Sequence, residues 1–315
     1  MNRVGKDPLT RYTSILRGQA RPRFQEAKAA TVEGSSTTVL DRKISSALEL
    51  WSDCQLCEHR CRTKRGAGQV GRCGVAESHI STHFPHYGEE RPLVPSYTIF
   101  FSGCNLFCMY CQNWDISTDP CHGEIIPPRT LARLIEARGT TPLGASACQS
   151  IRNVNWVGGD PIPHLPYVLQ VLRELEIDLP QVWNSNMYMT VETMSLLEGV
   201  MDIYLTDLKY GNDRCAERLS AAPRYWEIIT RNHMLATKQG EVIVRHLMLP
   251  GHLECCTFPV LEWIAENVPQ AAVNIMDQFR PEHRAMNFQE IRKKVSLKDY
   301  RSALDRAKEL DLALI

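Results

Sequence analysis

Nowhere does this 315-residue sequence hold the roughly 18 unbroken apolar residues of a membrane-spanning helix. Its opening stretch, MNRVGKDPLTRYTSILRG, has no apolar core of signal-peptide length either. Net charge is absent as well, since 36 Lys and Arg balance 36 Asp and Glu. That balance hides an asymmetry: residues 1–73 carry 14 Lys and Arg against 7 Asp and Glu. A basic front of this kind suits a nucleic acid or an acidic protein partner, but a solvated face balanced by the acidic remainder is the preferred reading. Asp7 and Glu26 argue against an Arg-rich mitochondrial leader. No solenoid-length repeat or low-complexity tract is present. The expectation is a soluble, cytoplasmic protein with no membrane contact. In a reducing compartment its twelve cysteines are ligands or catalysts before they are disulfides.

What is present is an alternation. Residues 1–50 read as two or three short helices around the break TVEGSSTTV, and Cys54 to Cys73 as loops rich in Cys, Arg and Gly. After Pro95, β-rich runs appear at 96–103, 154–159, 181–186, 201–209, 241–251 and 271–279. Helix-like segments lie between them, among them PRTLARLIEAR, LPYVLQVLRELEI, TVETMSLLEG and FPVLEWIAENV, each opening near a Pro, Thr or polar cap. Six strands alternating with helices predict an α/β fold with a parallel sheet. Right-handed crossovers curl such a sheet into a partial (β/α)6 barrel of the TIM type. The predicted organisation is an N-terminal helical and Cys-rich extension (1–95), the barrel (96–281) and a helical tail (282–315).

Chemistry in such folds sits beyond the carboxyl ends of the strands. Directly after the first strand, FFSGCNLFCMYCQNWDIS places Cys104, Cys108 and Cys111 with three and then two residues between them. A closed structural zinc site wants a fourth protein ligand. Three thiolates from one loop can instead bind three irons of a cubane cluster and leave the fourth open.

This spacing, with Tyr110 just before the third Cys, resembles the signature of the radical S-adenosylmethionine superfamily. The resemblance implies that the three Cys hold a [4Fe-4S] cluster and that its fourth iron chelates the methionine moiety of S-adenosylmethionine. Electron transfer from a donor such as flavodoxin or ferredoxin then yields a 5′-deoxyadenosyl radical. VGGDP (157–161) is similar to the family's Gly-Gly-Glu-Pro motif, with Asp160 in place of the commoner Glu. It implies backbone contacts from Gly158 and Gly159, where no Cβ blocks close approach. Within the superfamily the chain resembles glycyl-radical activating enzymes and their pyruvate formate-lyase activating-enzyme-like relatives. YLTDLKYGN implies Asp207 and Lys209 near the ribose and carboxylate of the cofactor, and VRHLMLPGH implicates Arg245. Asn184-Ser185-Asn186 stands where those enzymes carry Asp-Thr-Asn, which removes a carboxylate from a cation site. Asp277 and Gln278 stand where they carry a His. Hydrogen abstraction from a protein or peptide is the expected activity. The alternatives are radical modification of a small molecule or nucleic acid, or a non-catalytic iron–sulfur protein.

A second group, Cys54, Cys57, Cys61 and Cys73, lies in a glycine-rich loop. Four thiolates suit zinc or a second, fully ligated iron–sulfur cluster, and the spacing does not choose between them. His79, His83 and His86 read as surface or cavity histidines, because Pro85 breaks the helix that would align them on a metal. Carboxylates of YGEERP are candidates to line the cavity. Cys121, Cys148, Cys215, Cys255 and Cys256 read as ordinary thiols.

Overall fold

The computed structural model describes residues 8–140 and 150–315, so Cys148 lies outside the described residues. Three helices lead: α1 (Thr10–Leu16), α2 (Arg23–Ala29) and α3 (Val39–Ser52). The Thr38 hydroxyl starts α3 by accepting from the Asp41 amide at 3.0 Å. Then come β1 (Ile80–His86), β2 (Ser96–Phe101), α4 (Trp114–Thr118), α5 (Pro128–Thr140), β3 (Asn153–Gly158), α6 (Leu165–Glu174), β4 (Gln181–Ser185) and α7 (Val191–Leu197). The chain continues with β5 (Ile203–Asp207), α8 (Asp213–Ser220), α9 (Tyr225–Gln239), β6 (Glu241–Leu247), α10 (Phe258–Asn267), β7 (Ala272–Met276), α11 (Leu297–Glu309) and β8 (Ala313–Leu314).

The strands form one sheet in the order β1 to β8. From β2 to β7 every neighbour is parallel, which gives the six strands of a partial TIM-type barrel. Two strands extend it beyond the sequence expectation. β1 pairs antiparallel with β2, and the two-residue β8 pairs with β7 inside a tail expected to be helical. Pro85 is tolerated in β1 because β1 is an edge strand, where the missing N–H costs no ladder bond. The β5–β6 connection also holds two helices that periodicity did not pick out. Of these, α8 is short and polar, and its cap is the Asn212 side chain accepting from the Cys215 amide at 2.9 Å.

Alternation along the strands sorts side chains into two layers. Trp156 and Phe101 face outward, and Phe101 stacks on His164 of the 310 turn before α6 with ring centres 4.5 Å apart. Inward at the amino end, Val182, Ile203, Leu205, Ile243 and Ala272 share a core with Leu9, Tyr12 and Leu93. The first helix is therefore a plug: the amides of Arg11 and Tyr12 donate to the Glu241 carboxylate at 2.6 and 2.9 Å. The loop between β1 and β2 reaches across to the far strands. Asn274 on β7 donates to Glu90 at 3.1 Å, and Leu93 enters the barrel. Residues on both sides of position 95 thus fill one barrel interior. The helical part of the basic segment runs beneath the barrel and along α6 and α7, and its Cys-rich part reaches the loop at Asn105. Among the described residues, no helix is long and apolar enough to cross a membrane.

Candidate active site

β2 delivers the chain to the carboxyl face, and Gly103, at φ +87°, turns it into the loop of three cysteines. A Cβ there would run into the Val75 side chain. The loop is carried by the last residues of α8, where the carbonyls of Ser220 and Leu219 accept from the amides of Phe107 and Met109 at 3.1 and 2.8 Å. Each sulfur has a polar neighbour. Cys104 Sγ faces the Leu106 amide at 3.4 Å and the Asn186 amide nitrogen at 3.7 Å. The Ser220 hydroxyl donates to Cys108 Sγ at 3.0 Å, and Ser117 Oγ lies 3.3 Å from Cys111 Sγ. Burial pushes the Cys104 thiol well up and Cys108 to about 11, so ionising these thiols calls for a cation between them.

All three cysteines line one cavity of about 240 Å3. Its opposite wall begins where β3 ends. Gly158 sits at φ +123°, and a Cβ on it would collide with the Phe101 backbone. A Cβ on Gly159 would collide with the Gly103 carbonyl. Their lack of a Cβ allows close ligand approach. The structure adds a prior requirement, contact between β3 and the strand that carries the cysteines. Asp160 lines the cavity, but both its oxygens are engaged: Oδ1 by the Ile162 amide at 3.0 Å, Oδ2 by the Asn186 amide at 2.8 Å, and the pair by Ser185 Oγ. Burial raises this carboxyl to about 7, against the pull of those hydrogen bonds.

Beyond it, β4 to β6 supply a charged wall. Lys209 Nζ lies 2.6 Å from Asp207, and the Arg245 guanidinium reaches Asp207 at 3.1 Å and Asn184 Oδ1 at 2.5 Å. Burial alone would raise Asp207, yet Lys209 and Arg245 together hold it below the usual carboxylate range. Glu89, from the loop before β2, stands 3.6 Å from Arg245. The buried Asn184 Nδ2 has no hydrogen-bond partner, so the cavity keeps a donor that its own walls do not satisfy.

The structure therefore brings Cys104, Cys108, Cys111, Tyr110, Gly158, Gly159, Asp160, Asn184, Ser185, Asp207, Lys209 and Arg245 to one cavity. Tyr110 turns its hydroxyl to Tyr210 at 2.8 Å and offers the cavity its ring. Gln278 joins the lining, whereas Asp277 is not part of it. Ser220 and Ser117, beside the thiols, escaped sequence reasoning, and Asn186, named there only within its motif and given no role, bonds Asn105 Oδ1 at 2.7 Å. Nothing in the sequence marks Ser220, the last residue of an unpredicted helix. Asn186, next to Ser185, was within reach of the motif. The histidines do not converge: His83 bonds the Tyr97 hydroxyl at 2.7 Å and His86 meets Glu89 at 3.2 Å.

Cys54, Cys57, Cys61 and Cys73 also come together. Cys57 is pushed to about 12, first by burial and then by the charges of Cys73, Cys54 and Cys61 around it. Donors surround the group, with Arg65 Nη2 3.2 Å from Cys73 Sγ and the Arg72 amide 3.3 Å from Cys61 Sγ. This loop touches the first one through His59, whose Nε2 lies 2.8 Å from the Asn105 carbonyl.

A parallel partial barrel with three thiols at the end of its first parallel strand and a glycine pair at the end of the next defines a class of enzyme that works through an iron–sulfur cluster and S-adenosylmethionine. The family model for the radical SAM superfamily matches residues 98–264, and the chain belongs to that superfamily. An uncharacterized protein of Methanocaldococcus jannaschii, MJ0674, is 46% identical over 283 residues, covering 88% of this chain and 80% of that protein. The crystal structure of methylornithine synthase (PylB) superposes with a TM-score of 0.50 at 14% identity, covering 96% of this chain and 77% of that one. Streptococcus suis SuiB gives 0.49 at 12% identity over 70% of this chain, which spans about half of SuiB (48%). At 14% identity the likeness to the methylornithine synthase structure is one of fold.

The family uses a [4Fe-4S] cluster and S-adenosylmethionine, and the cavity fits both. Its three thiols come from one loop with N–H and O–H donors beside them, and an unsatisfied amide stands on the facing wall.

Proposed function

We propose that this protein cleaves S-adenosylmethionine reductively and abstracts hydrogen from a protein or peptide, in the manner of glycyl-radical activating enzymes. One observation carries the reading. The three thiols, the Gly158-Gly159 edge and the Asp207, Lys209 and Arg245 group line a single cavity at the carboxyl ends of the strands. Cys104, Cys108 and Cys111 hold the cluster, which when bound supplies the electron that splits the sulfonium into methionine and a 5′-deoxyadenosyl radical.

The other residues bind and orient. Backbone at Gly158 and Gly159 receives the amino group of the methionine moiety. Asp160 acts mainly by fixing the β4 loop, since its hydrogen bonds tie it to Asn186 and Ser185. Lys209 and Arg245, already paired with Asp207, form the cationic wall for the carboxylate, and Asn184 Nδ2 is free to donate. Ser185, Asp207 and the Tyr110 ring complete the walls around the ribose and sulfonium.

Arg72, His283 and Arg284 gather with Phe107 beside Cys104 and Cys108, and Trp114 stacks on His283 at 5.8 Å. This basic, aromatic patch suits an acidic electron carrier such as flavodoxin or ferredoxin, and a reducing cytoplasm suits the chemistry. The N-terminal four cysteines form a second metal centre, zinc or iron–sulfur. Replacing all four should remove metal while leaving the spectrum of the radical-site cluster intact; a quadruple variant that keeps all its metal would refute that centre.

The test of the main reading is anaerobic reconstitution, reduction and assay for 5′-deoxyadenosine and methionine. Size-fractionated lysate from the protein's own source is then added. Stimulation by the macromolecular fraction, weakened by salt, supports a polypeptide substrate, because exposed charge pairs are screened over about 8 Å at physiological ionic strength. Stimulation confined to small metabolites and insensitive to salt favours a small-molecule substrate instead.

A further inference from the structure

Three cysteines read from the sequence as ordinary thiols are brought together by the fold. Cys215 lies in the first turn of α8, and Cys255 and Cys256 lie in the turn Leu253–Thr257 that leads into α10. Their three sulfurs all fall within 4.8 Å of one another, with Cys215 Sγ 4.0 Å and Cys256 Sγ 3.9 Å from Cys255 Sγ. Among the described residues, no other set of three Cys, His, Asp or Glu ligand atoms is so compact. Cysteines that would hold a cluster differ in kind, because each would bind its own iron and need not approach its neighbours so closely. Sulfurs bound to a single zinc ion at about 2.3 Å lie about 3.8 Å apart in a tetrahedral site. Two of the three pairs in the triad stand close to that spacing, at 3.9 and 4.0 Å, and the third lies within 4.8 Å.

The backbone is arranged to produce it. Leu253–Thr257 forms a π-helical turn, whose wider winding lets two consecutive cysteines reach the same neighbour. Gly211 permits the approach, since a Cβ there would press to 2.8 Å on the Cys256 carbonyl and 3.0 Å on that of Cys255. Asn212 joins the two segments: its Oδ1 caps α8 at the Cys215 amide, and its Nδ2 donates to the Cys255 carbonyl at 2.6 Å and faces Cys256 Sγ at 3.7 Å. That is the supporting hydrogen bonding metal-bound thiolates commonly have. Cys215 and Cys256 are buried and Cys255 is half-buried; a tetrahedral site on three thiolates would take water as its fourth ligand.

We propose that Cys215, Cys255 and Cys256 bind a single thiophilic metal ion, Zn2+, distinct from the radical-site cluster and from the N-terminal four-Cys centre. The ion ties the first turn of α8 to the turn after β6. The last turn of α8 carries the Cys104–Cys111 loop through the Leu219 and Ser220 carbonyls and the Ser220 hydroxyl, so the site braces that loop from the far end of the same helix.

The experiment compares zinc and iron per chain in the anaerobically purified full-length protein and in Cys255→Ser, the half-buried member and the substitution least disruptive to packing. The expected result is the loss of one zinc per chain with iron unchanged. Unchanged zinc in Cys255→Ser and in Cys215→Ser overturns the proposal. A second measurement needs no variant: alkylation of the native wild-type protein, mapped by peptide, before and after a zinc chelator. Cys255 should become several-fold more reactive once zinc is withdrawn. Equal reactivity, or a Cys215–Cys255 disulfide in the anaerobic protein, overturns the site.

Discussion

The two ends of this barrel use the same residue types for opposite purposes. At the amino end, acidic side chains are consumed by backbone. Glu241 takes the amides of Arg11 and Tyr12, and Asp202 takes those of Arg23 and Gln181 at 3.0 and 2.9 Å. Leu9, Tyr12 and Leu93 fill what space remains. At the carboxyl end, Asp207 pairs with side chains that also line a cavity, and Asn184 keeps an unsatisfied donor. A satisfied polar group holds the fold together, whereas an unsatisfied one beside a cavity awaits a ligand. The inward positions of β5 and β6 make the change within two residues: Leu205 to Asp207, and Ile243 to Arg245.

If the ends differ in this way, the largest effect belongs to the cysteine loop. Cys104→Ala, Cys108→Ala or Cys111→Ala should each reduce 5′-deoxyadenosine formation to background while circular dichroism stays native. Cleavage at the wild-type rate in any of them would break the comparison. The opposite result is expected for Leu93→Ala at the plug. Deleting this fully buried side chain should cost about 3 kcal/mol in chemical denaturation, with cleavage per folded molecule retained.

Asp207→Asn sharpens the carboxyl-end reading. It removes the charge that pairs Lys209 and Arg245, and S-adenosylmethionine binding measured by calorimetry should weaken about tenfold, as expected for a lost charge-assisted bond. Stability should change less than in Leu93→Ala.

The smallest effect on the cofactor chemistry is expected from pH at Asp202. Burial raises its carboxyl to about 6, against the pull of the Gln181 and Arg23 amides and the charges of Arg11 and Arg23. A carboxyl that binds its proton more tightly when folded contributes stability in full below its unfolded value near 3.8. It loses that contribution as pH rises through about 6. Asp202→Asn should remove this decline from the melting temperature between pH 4 and 6 and leave cofactor cleavage unaltered. An identical slope in both proteins would show that the plug carries no such linkage.

Much of this architecture is legible in the chain because it is local. The runs that became β2 to β7 announce themselves by β-rich composition between helical segments, and Cys104, Cys108 and Cys111 sit in one loop, so their grouping is visible within eight residues of sequence. Gly158-Gly159 was legible as a motif, but not as a requirement for packing against Phe101 and Gly103, because that contact spans more than fifty residues. Edge strand β1 was hidden by Pro85 and its histidines, and α8 by a polarity that looks like a loop.

The sequence by itself determined the alternation of strands and helices, the three-thiol loop and the placement of charge on β5 and β6, since each depends on neighbours a few residues apart. Only the tertiary structure decided that α1 would stop the barrel from below, that Glu89 would reach Arg245, that Ser220 would bond Cys108, and that Cys215 would meet Cys255 and Cys256. The physical reason is the same in each case. These partners are brought together by the curvature of the sheet and the path of its crossovers, and no pattern within a short window encodes a distance across a barrel.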